Sequence, residues 1–145
     1  MASPNFRAGV VMVVRGLDDR LLAFERGDVA GQWQFPQGGL EINEAPLDAA
    51  WRELREETGL GPDDVHAVAE YPGWVTYEYP EELKTSKGRL GQVHRWFLFD
   101  AHSADITPTV DNREFVAWQW VTREWLLENV VAFRRPGYEL VLSSL

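Results

Sequence analysis

The sequence predicts an α/β or α+β sandwich in which strands surround one central helix. Three observations carry that prediction. Short Val-rich or alternating segments recur along the chain, one helix between them has clear start and stop signals, and no apolar run approaches the ~20 residues of a membrane span. Residues 7–14 are rich in Val and read as a buried strand. Gly16-Leu17-Asp18-Asp19 is a turn signal, and residues 20–26 read as the returning strand of a hairpin. Residues 27–32 form a loop. Residues 34–40 contain Pro36 and Gly38-Gly39, which predicts a short irregular strand entering a turn. The strongest helix prediction is 46–58, with Pro46 near its first position, Gly59 as a natural stop and Pro62 shortly after. Residues 65–79, 92–99 and 115–121 read as strands; the last sets Phe115, Ala117 and Gln119 against Val116, Trp118 and Trp120. Thr122 is placed to cap a helix over 123–130, and 136–145 reads as a terminal helix. Residues 80–91, with Lys84, Ser86, Lys87, Gly88 and Arg89, read as a mobile loop. The whole of 1–145 is expected to form one domain.

Composition removes several function classes. With no Cys, disulfides, thiolate metal sites and Cys nucleophiles are excluded. Residues 1–7 lack the basic-then-apolar order of a signal peptide, so a cytoplasmic protein without a membrane partner is expected. A net charge of −9 argues against a broad basic surface for duplex DNA. It leaves phosphate substrates open, because clustered carboxylates hold divalent cations and these attract phosphate. No Walker-type loop is present, and His66, His94 and His102 show no paired metal spacing; surface or strand positions without catalysis are expected for all three.

At about 100° per residue, Leu47, Ala50, Trp51, Leu54 and Thr58 share one face of the helix and are expected to pack on the sheet. Glu53, Glu56 and Glu57, at i, i+3 and i+4, share another. Three carboxylates on adjacent turns repel one another, and Arg52, which reaches Glu56 at i+4, cannot neutralise all three. Taken alone they fit either a solvated acidic face or a site for Mg²⁺ or Mn²⁺, hard ions that take oxygen ligands.

The surrounding residues decide between these. Gly38, Glu44, Arg52-Glu53-Leu54, Glu56-Glu57 and Gly59-Leu60 have the spacing G-x5-E-x7-R-E-U-x-E-E-x-G-U, with U aliphatic: nine fixed positions over 23 residues. This resembles the Nudix box without a substitution. The resemblance implies a Nudix α/β/α sandwich with a mixed central sheet and a loop–helix–loop catalytic motif. It implies metal-dependent hydrolysis of a nucleoside diphosphate linked to another group, with Mg²⁺, or Mn²⁺ in its place. On the same resemblance, Glu53, Glu56 and Glu57 hold metal, joined by the Gly38 carbonyl, and Glu53 or Glu57 serves as base. Glu114, just before an aromatic strand, is the candidate for the distant-loop base and further ligand that some members use; otherwise it is an exposed loop carboxylate. Arg52 is expected to orient a glutamate, and Glu44 either charges the helix start or joins that orientation.

Trp33-Gln34-Phe35-Pro36-Gln37-Gly38-Gly39 is similar to the lead-in of two Nudix groups, the dinucleoside polyphosphate hydrolases and the RNA 5′-pyrophosphohydrolases. Gly91-Gln92 with Arg95-Trp96-Phe97, Glu114-Phe115 with Trp118 and Trp120-Val121, and Val130-Val131 with Phe133, Arg134-Arg135 and Tyr138 extend the likeness. It implies a substrate site in which Phe133 stacks a base opposite Arg26, while Tyr77 and Arg134 hold distal phosphates. Phe133 reads equally as core, and Tyr77 as a strand-edge residue. Lys84, Lys87 and Arg89 either solubilise their loop or track a polynucleotide. The expected substrate is a dinucleoside polyphosphate or a 5′-triphosphorylated RNA end, the −9 charge favouring the dinucleotide. The alternatives are an ADP-ribose or nucleotide-pool pyrophosphatase and a non-catalytic Nudix-fold binding module.

Overall fold

The computed structural model describes residues 3–145; Met1 and Ala2, part of the segment read for a leader, lie outside the described residues. Its strands are β1 (Ser3–Arg15), β2 (Leu21–Arg26), β3 (Trp33–Gln34), β4 (Gln37–Gly39), β5 (Val65–Glu70), β6 (Val75–Glu78), β7 (Arg89–Ala101) and β8 (Phe115–Val121). The helices are α1 (Pro46–Thr58), α2 (Glu81–Lys87), α3 (Arg123–Asn129) and α4 (Arg135–Leu142). The strands form one sheet ordered β3-β2-β1-β7-β5, with β4 also on β1, β6 on β7 and β8 on β2. The two 13-residue strands β1 and β7 run parallel, and every other pairing is antiparallel, so the sheet is mixed as expected.

Alternate residues of the central strands feed two cores. Val10, Met12 and Val14 of β1, with Phe97 and Phe99 of β7, pack under Ala49, Ala50 and Leu54 of α1. Val11 and Val13, with Trp96 and Leu98, pack under Leu126 and Val130 after β8 and under Tyr138, Val141 and Leu142 of α4. A sheet covered on both faces needs continuous apolar strands, which is why residues 10–14 carry no polar residue. In the second core Phe35 stacks on Tyr138 at 4.9 Å, and the Phe35 N–H donates to the Tyr138 hydroxyl at 2.9 Å.

Several boundaries depart from the sequence reading. Residues 65–79 are two strands, because Tyr71 to Trp74 contains Pro72 and Gly73 (φ 111°) and breaks the ladder. Residues 34–40 split around Phe35-Pro36 into β3 and β4. Residues 80–91, expected as a mobile loop, hold α2 and the start of β7. Glu81 and Glu82 begin α2, Lys84 and Lys87 end it, and Gly88 stops it in the left-handed region, matching the helix dipole at both ends. The predicted apolar face of α1 also shifts: Leu47 is 41% exposed, and Ala49 takes its place in the core.

Candidate active site

The helix α1 ends as its sequence dictates, Gly59 adopting φ 72° with its N–H donating to the Arg55 carbonyl. The three glutamates of its acidic face occupy a gradient of depth. Glu56 is exposed, Glu53 half-buried and Glu57 buried at 7% exposure. Arg52 organises the exposed end. Its Nε and Nη2 donate to the two Glu44 carboxylate oxygens at 2.8 Å, Nη1 donates to Glu53 at 2.8 Å and to Glu56 at 3.4 Å, and Nη2 also donates to the Gly39 carbonyl at 3.0 Å. Glu44 in turn accepts from the Glu41 N–H at 3.0 Å. One guanidinium thus ties the helix to the preceding loop and to the Glu53 carboxylate; Glu44 shares that network, its carboxyl held down to about 2 chiefly by Arg52. Gly38 is needed for space: a Cβ there would collide with the Glu53 carboxyl group.

Beside this network lies a cavity of about 150 Å³ lined by groups of both charge signs. Glu57, Glu114 and Gly38 face it from α1, the loop before β8, and β4; Arg7, Arg26, Arg134 and Lys87 face it from the other elements. Glu57 is pushed up to about 9, first by burial, then by the negative charges of Glu53 and Glu114. Its Oε2 is buried without a hydrogen-bond partner. Glu53 is raised too, mainly by burial and against the pull of Arg52. A buried carboxylate oxygen without a partner, repelled by neighbouring carboxylates, is the chemistry that a hard divalent cation relieves. Among the described residues no three acidic or His side chains close on one point. Of the residues expected to hold metal, Gly38, Glu57 and Glu114 line the cavity, while Glu53 and Glu56 do not.

The predicted substrate residues divide. Arg26 and Arg134 line the cavity. Tyr77 stands behind its wall, donating to Gln92 Oε1 at 3.0 Å, where Gln37 also donates at 3.0 Å. Arg134 is only 6% exposed, lies 4.8 Å over the Phe133 ring and 5.5 Å over the Tyr77 ring, and keeps Nε buried without a partner. Phe133 itself does not line the cavity: it packs against Tyr77 and Tyr79 at 5.3 and 5.7 Å, with Arg134 over it. Arg26 is engaged as well, forked onto Asp28 at 2.8 and 2.7 Å and reaching Gln34 at 3.2 Å.

Sequence reasoning assigned no site role to Arg7, Gln37, Gln92 or His94, all of which line the cavity, as does Lys87, which it left between solubilising its loop and tracking a polynucleotide. Arg7 and Gln92 are register partners on β1 and β7, so parallel pairing, which the sequence does not display, brings them together. His94 takes the strand position allowed for it, on β7, and lines the cavity at 4% exposure, drawn down to about 3 by burial and then by Arg134 and Arg7, and stays neutral there. His66 and His102 are exposed, with ring centroids 5.1 Å apart.

A mixed sheet between helical layers, with carboxylates and cations lining one cavity, fits a metal-dependent hydrolase of polyphosphate compounds. Comparison with known proteins narrows the class. Residues 5–141 match the NUDIX domain. The chain is 38% identical to an RNA pyrophosphohydrolase of Zymomonas mobilis subsp. mobilis, covering 99% of this chain and 97% of that one. It is 40% identical to an RNA pyrophosphohydrolase of Roseobacter denitrificans, covering 92% and 87%. It is 34% identical to Nudix hydrolase 25 of Arabidopsis thaliana, covering 97% and 86%. In fold it is similar to the E. coli dihydroneopterin triphosphate pyrophosphohydrolase, with a TM-score of 0.78 at 19% identity over 97% and 99% of the two chains. The C. elegans Ap4A hydrolase gives 0.72 at 17% identity over 96% and 99%. The chain belongs to the NUDIX domain family.

Proposed function

We propose that this protein is a Mg²⁺-dependent pyrophosphohydrolase of nucleoside 5′-polyphosphates and that 5′-triphosphorylated RNA ends are its substrate, with Mn²⁺ able to replace Mg²⁺. One observation carries the reading: a single cavity sets the buried, partnerless Glu57 oxygen against the guanidinium of Arg134, itself buried and free of any ion pair among the described residues. A buried arginine without a carboxylate is an incomplete anion site, and phosphate completes it. The named activity of the bacterial relatives supports RNA ends over the dinucleotide that net charge alone favoured. The cations Arg7, Lys87 and Arg134 stand at the cavity despite the −9 total, so the charge that matters to a polyphosphate is local. Dinucleoside polyphosphates are the second reading, favoured by that −9 total.

Glu53 and Glu57, with Glu56, Glu114 and the Gly38 carbonyl, are the groups that would hold the ion; when bound, it offsets phosphate charge and acidifies a water. Arg52 keeps Glu53 aimed, and the Gly38 gap gives its carboxyl room. Arg134 and Arg7 hold the distal phosphates, with Tyr77 fixed behind them through Gln92. The proton of the attacking water passes to a carboxylate. Glu57 and Glu114, which both line the cavity with no ion pair among the described residues, are the candidates to take it. Phe133 supports this wall by holding Arg134 against its ring. Such substrates place the enzyme in the cytoplasm, acting as one domain.

The test is hydrolysis of triphosphorylated RNA, diadenosine tetraphosphate and ADP-ribose side by side, with products identified and Mg²⁺ added after chelation. RNA ends should give the highest kcat/KM, with pyrophosphate or successive phosphates released. ADP-ribose as the best substrate, or full activity in chelator, would sink the proposal.

A further inference from the structure

Outside the catalytic cavity, the fold brings together two histidines that lie far apart in the sequence. His66 stands on β5, and His102 directly follows the end of β7. Val65 pairs with Ala101 and His66 with Asp100, and the His102 N–H donates to the Asp64 carbonyl at 2.9 Å, which carries the antiparallel ladder past the strand ends. Residues two apart on one strand point to the same face, so His102 is the diagonal neighbour of His66. Both side chains are exposed, and their ring centroids stand 5.1 Å apart with the planes tilted by 39°. Neither lines the catalytic cavity, and neither has an ion-pair partner among the described residues.

That separation fits two ligands of one ion. A metal–imidazole bond is about 2.0–2.1 Å, and a ring nitrogen lies about 1.1 Å from its centroid, so each centroid stands about 3.2 Å from a shared ion. Centroids 5.1 Å apart then subtend about 106° at that ion, close to the tetrahedral angle.

The donors also select the ion. Imidazole suits borderline ions such as Zn²⁺ and Ni²⁺, whereas Mg²⁺ takes oxygen. The neighbouring carboxylates are committed, Asp100 to Arg15 at 2.8 and 2.9 Å and Asp64 to the Gly61 N–H at 3.1 Å. Among the described residues no third His or acidic side chain closes on the pair.

We propose that His66 and His102 form a surface site for a borderline divalent transition ion, separate from the hard-ion site on α1. Small turns about the side-chain bonds of the exposed rings aim one nitrogen of each at the shared point, while the ladder holds the backbone. A tetrahedral ion held by two imidazoles keeps two positions for water. The site does not depend on which polyphosphate the cavity takes.

The experiment titrates tag-free protein with Zn²⁺ by calorimetry, with Mg²⁺ in large excess to occupy the catalytic carboxylates. One Zn²⁺ should bind per chain, with a Kd on the order of 10–100 µM. His66→Ala and His102→Ala should each weaken it by about tenfold or more, because either change leaves a lone ligand. Mg²⁺-dependent hydrolysis should be unchanged in both variants. A second measurement needs no substitution: under the same excess of Mg²⁺, paramagnetic Ni²⁺ should broaden the amide resonances around His66 and His102 at concentrations that leave those of α1 sharp. Zn²⁺ binding that survives either substitution, loss in only one of the two variants, broadening that begins at α1, or no binding below about 1 mM Zn²⁺ would each overturn the site.

Discussion

Glu57 gives the sharpest physical test of the site. Its carboxyl titrates near 9 in the folded protein against an ordinary 4.5, because burial and the charges of Glu53 and Glu114 penalise its ionised form. The metal-free fold therefore keeps a proton that the unfolded chain has released. The stability from this group is complete below about pH 4.5 and is lost as pH rises through about 9, at a slope of ~1.4 kcal/mol per pH unit while the difference is one full proton. His94 acts in the opposite sense. With its pKa lowered from 6.5 to about 3, its contribution is complete above 6.5 and is lost as pH falls through 3, so it adds no slope above about pH 7. The measurement is urea denaturation in chelator from about pH 7 to 8.5, for wild type and Glu57→Gln. Wild type should lose ~1.4 kcal/mol per pH unit relative to the variant, which cannot ionise there. Saturating Mg²⁺ should raise wild-type stability most at the alkaline end, since the ion competes with the proton for the same carboxylate. Two parallel stability–pH curves in chelator would refute the assignment of a buried, proton-holding Glu57.

Four further outcomes follow from the geometry. Gly38→Ala drives a methyl into the Glu53 carboxyl and should cut kcat by ~10²-fold, since a displaced ligand loses charge stabilisation; steady-state kinetics at saturating Mg²⁺ reads it. Arg52→Lys loses the fork onto Glu44 and should lower kcat or apparent Mg²⁺ affinity by about tenfold, as supports of metal ligands do, with KM for the nucleotide little changed. Tyr138→Phe strips the buried Phe35 N–H of its acceptor and should cost ~1–3 kcal/mol in denaturant unfolding, without an effect on metal affinity. Phe133→Ala removes the ring under Arg134 and should raise KM for polyphosphates several-fold, about equally for purine and pyrimidine substrates; a base-dependent loss would show that Phe133 meets the base directly.

The parts of this molecule that were legible in the sequence are those governed by local rules. The helix α1 could be bounded because Pro46 and Gly59 act through their own backbone preferences, and the role of Arg52 was visible because its partners share the motif. The depth of Glu57 was not legible: periodicity put it beside Glu53 and Glu56, while the packing of α1 on β1 and β4 decides which of them is buried. Helix α2 carried adequate charge signals, but its Lys and Ser content and lack of buried residues gave no apolar period to detect. Arg7, Gln92 and His94 lie on β1 and β7, whose parallel pairing joins segments about 85 residues apart; only the register places them at one cavity. Phe133 shows the converse: its chemistry suited a base platform, yet Arg134, Tyr77 and Tyr79 occupy its surroundings.

The division of charge within the cavity explains how a protein of net charge −9 handles a polyanion. If the carboxylates and arginines were interleaved they would pair, as Arg15 does with Asp100 at 2.8 Å, and neither would be available to a ligand. Here they come from different elements and do not pair. The glutamates come from α1 and the loop before β8, while Arg7 rises from β1 and Arg134 from the turn before α4, and neither has an ion-pair partner among the described residues. Arg52, the one arginine on α1 that does pair with the motif glutamates, is spent on Glu44 and Glu53 and is not part of the cavity lining. Each set is thus left short of counter-charge, the carboxylates of a cation and the arginines of an anion. A polyphosphate with its divalent ion supplies both at once, so metal and substrate should bind with positive coupling: each lowers the electrostatic cost that the other meets.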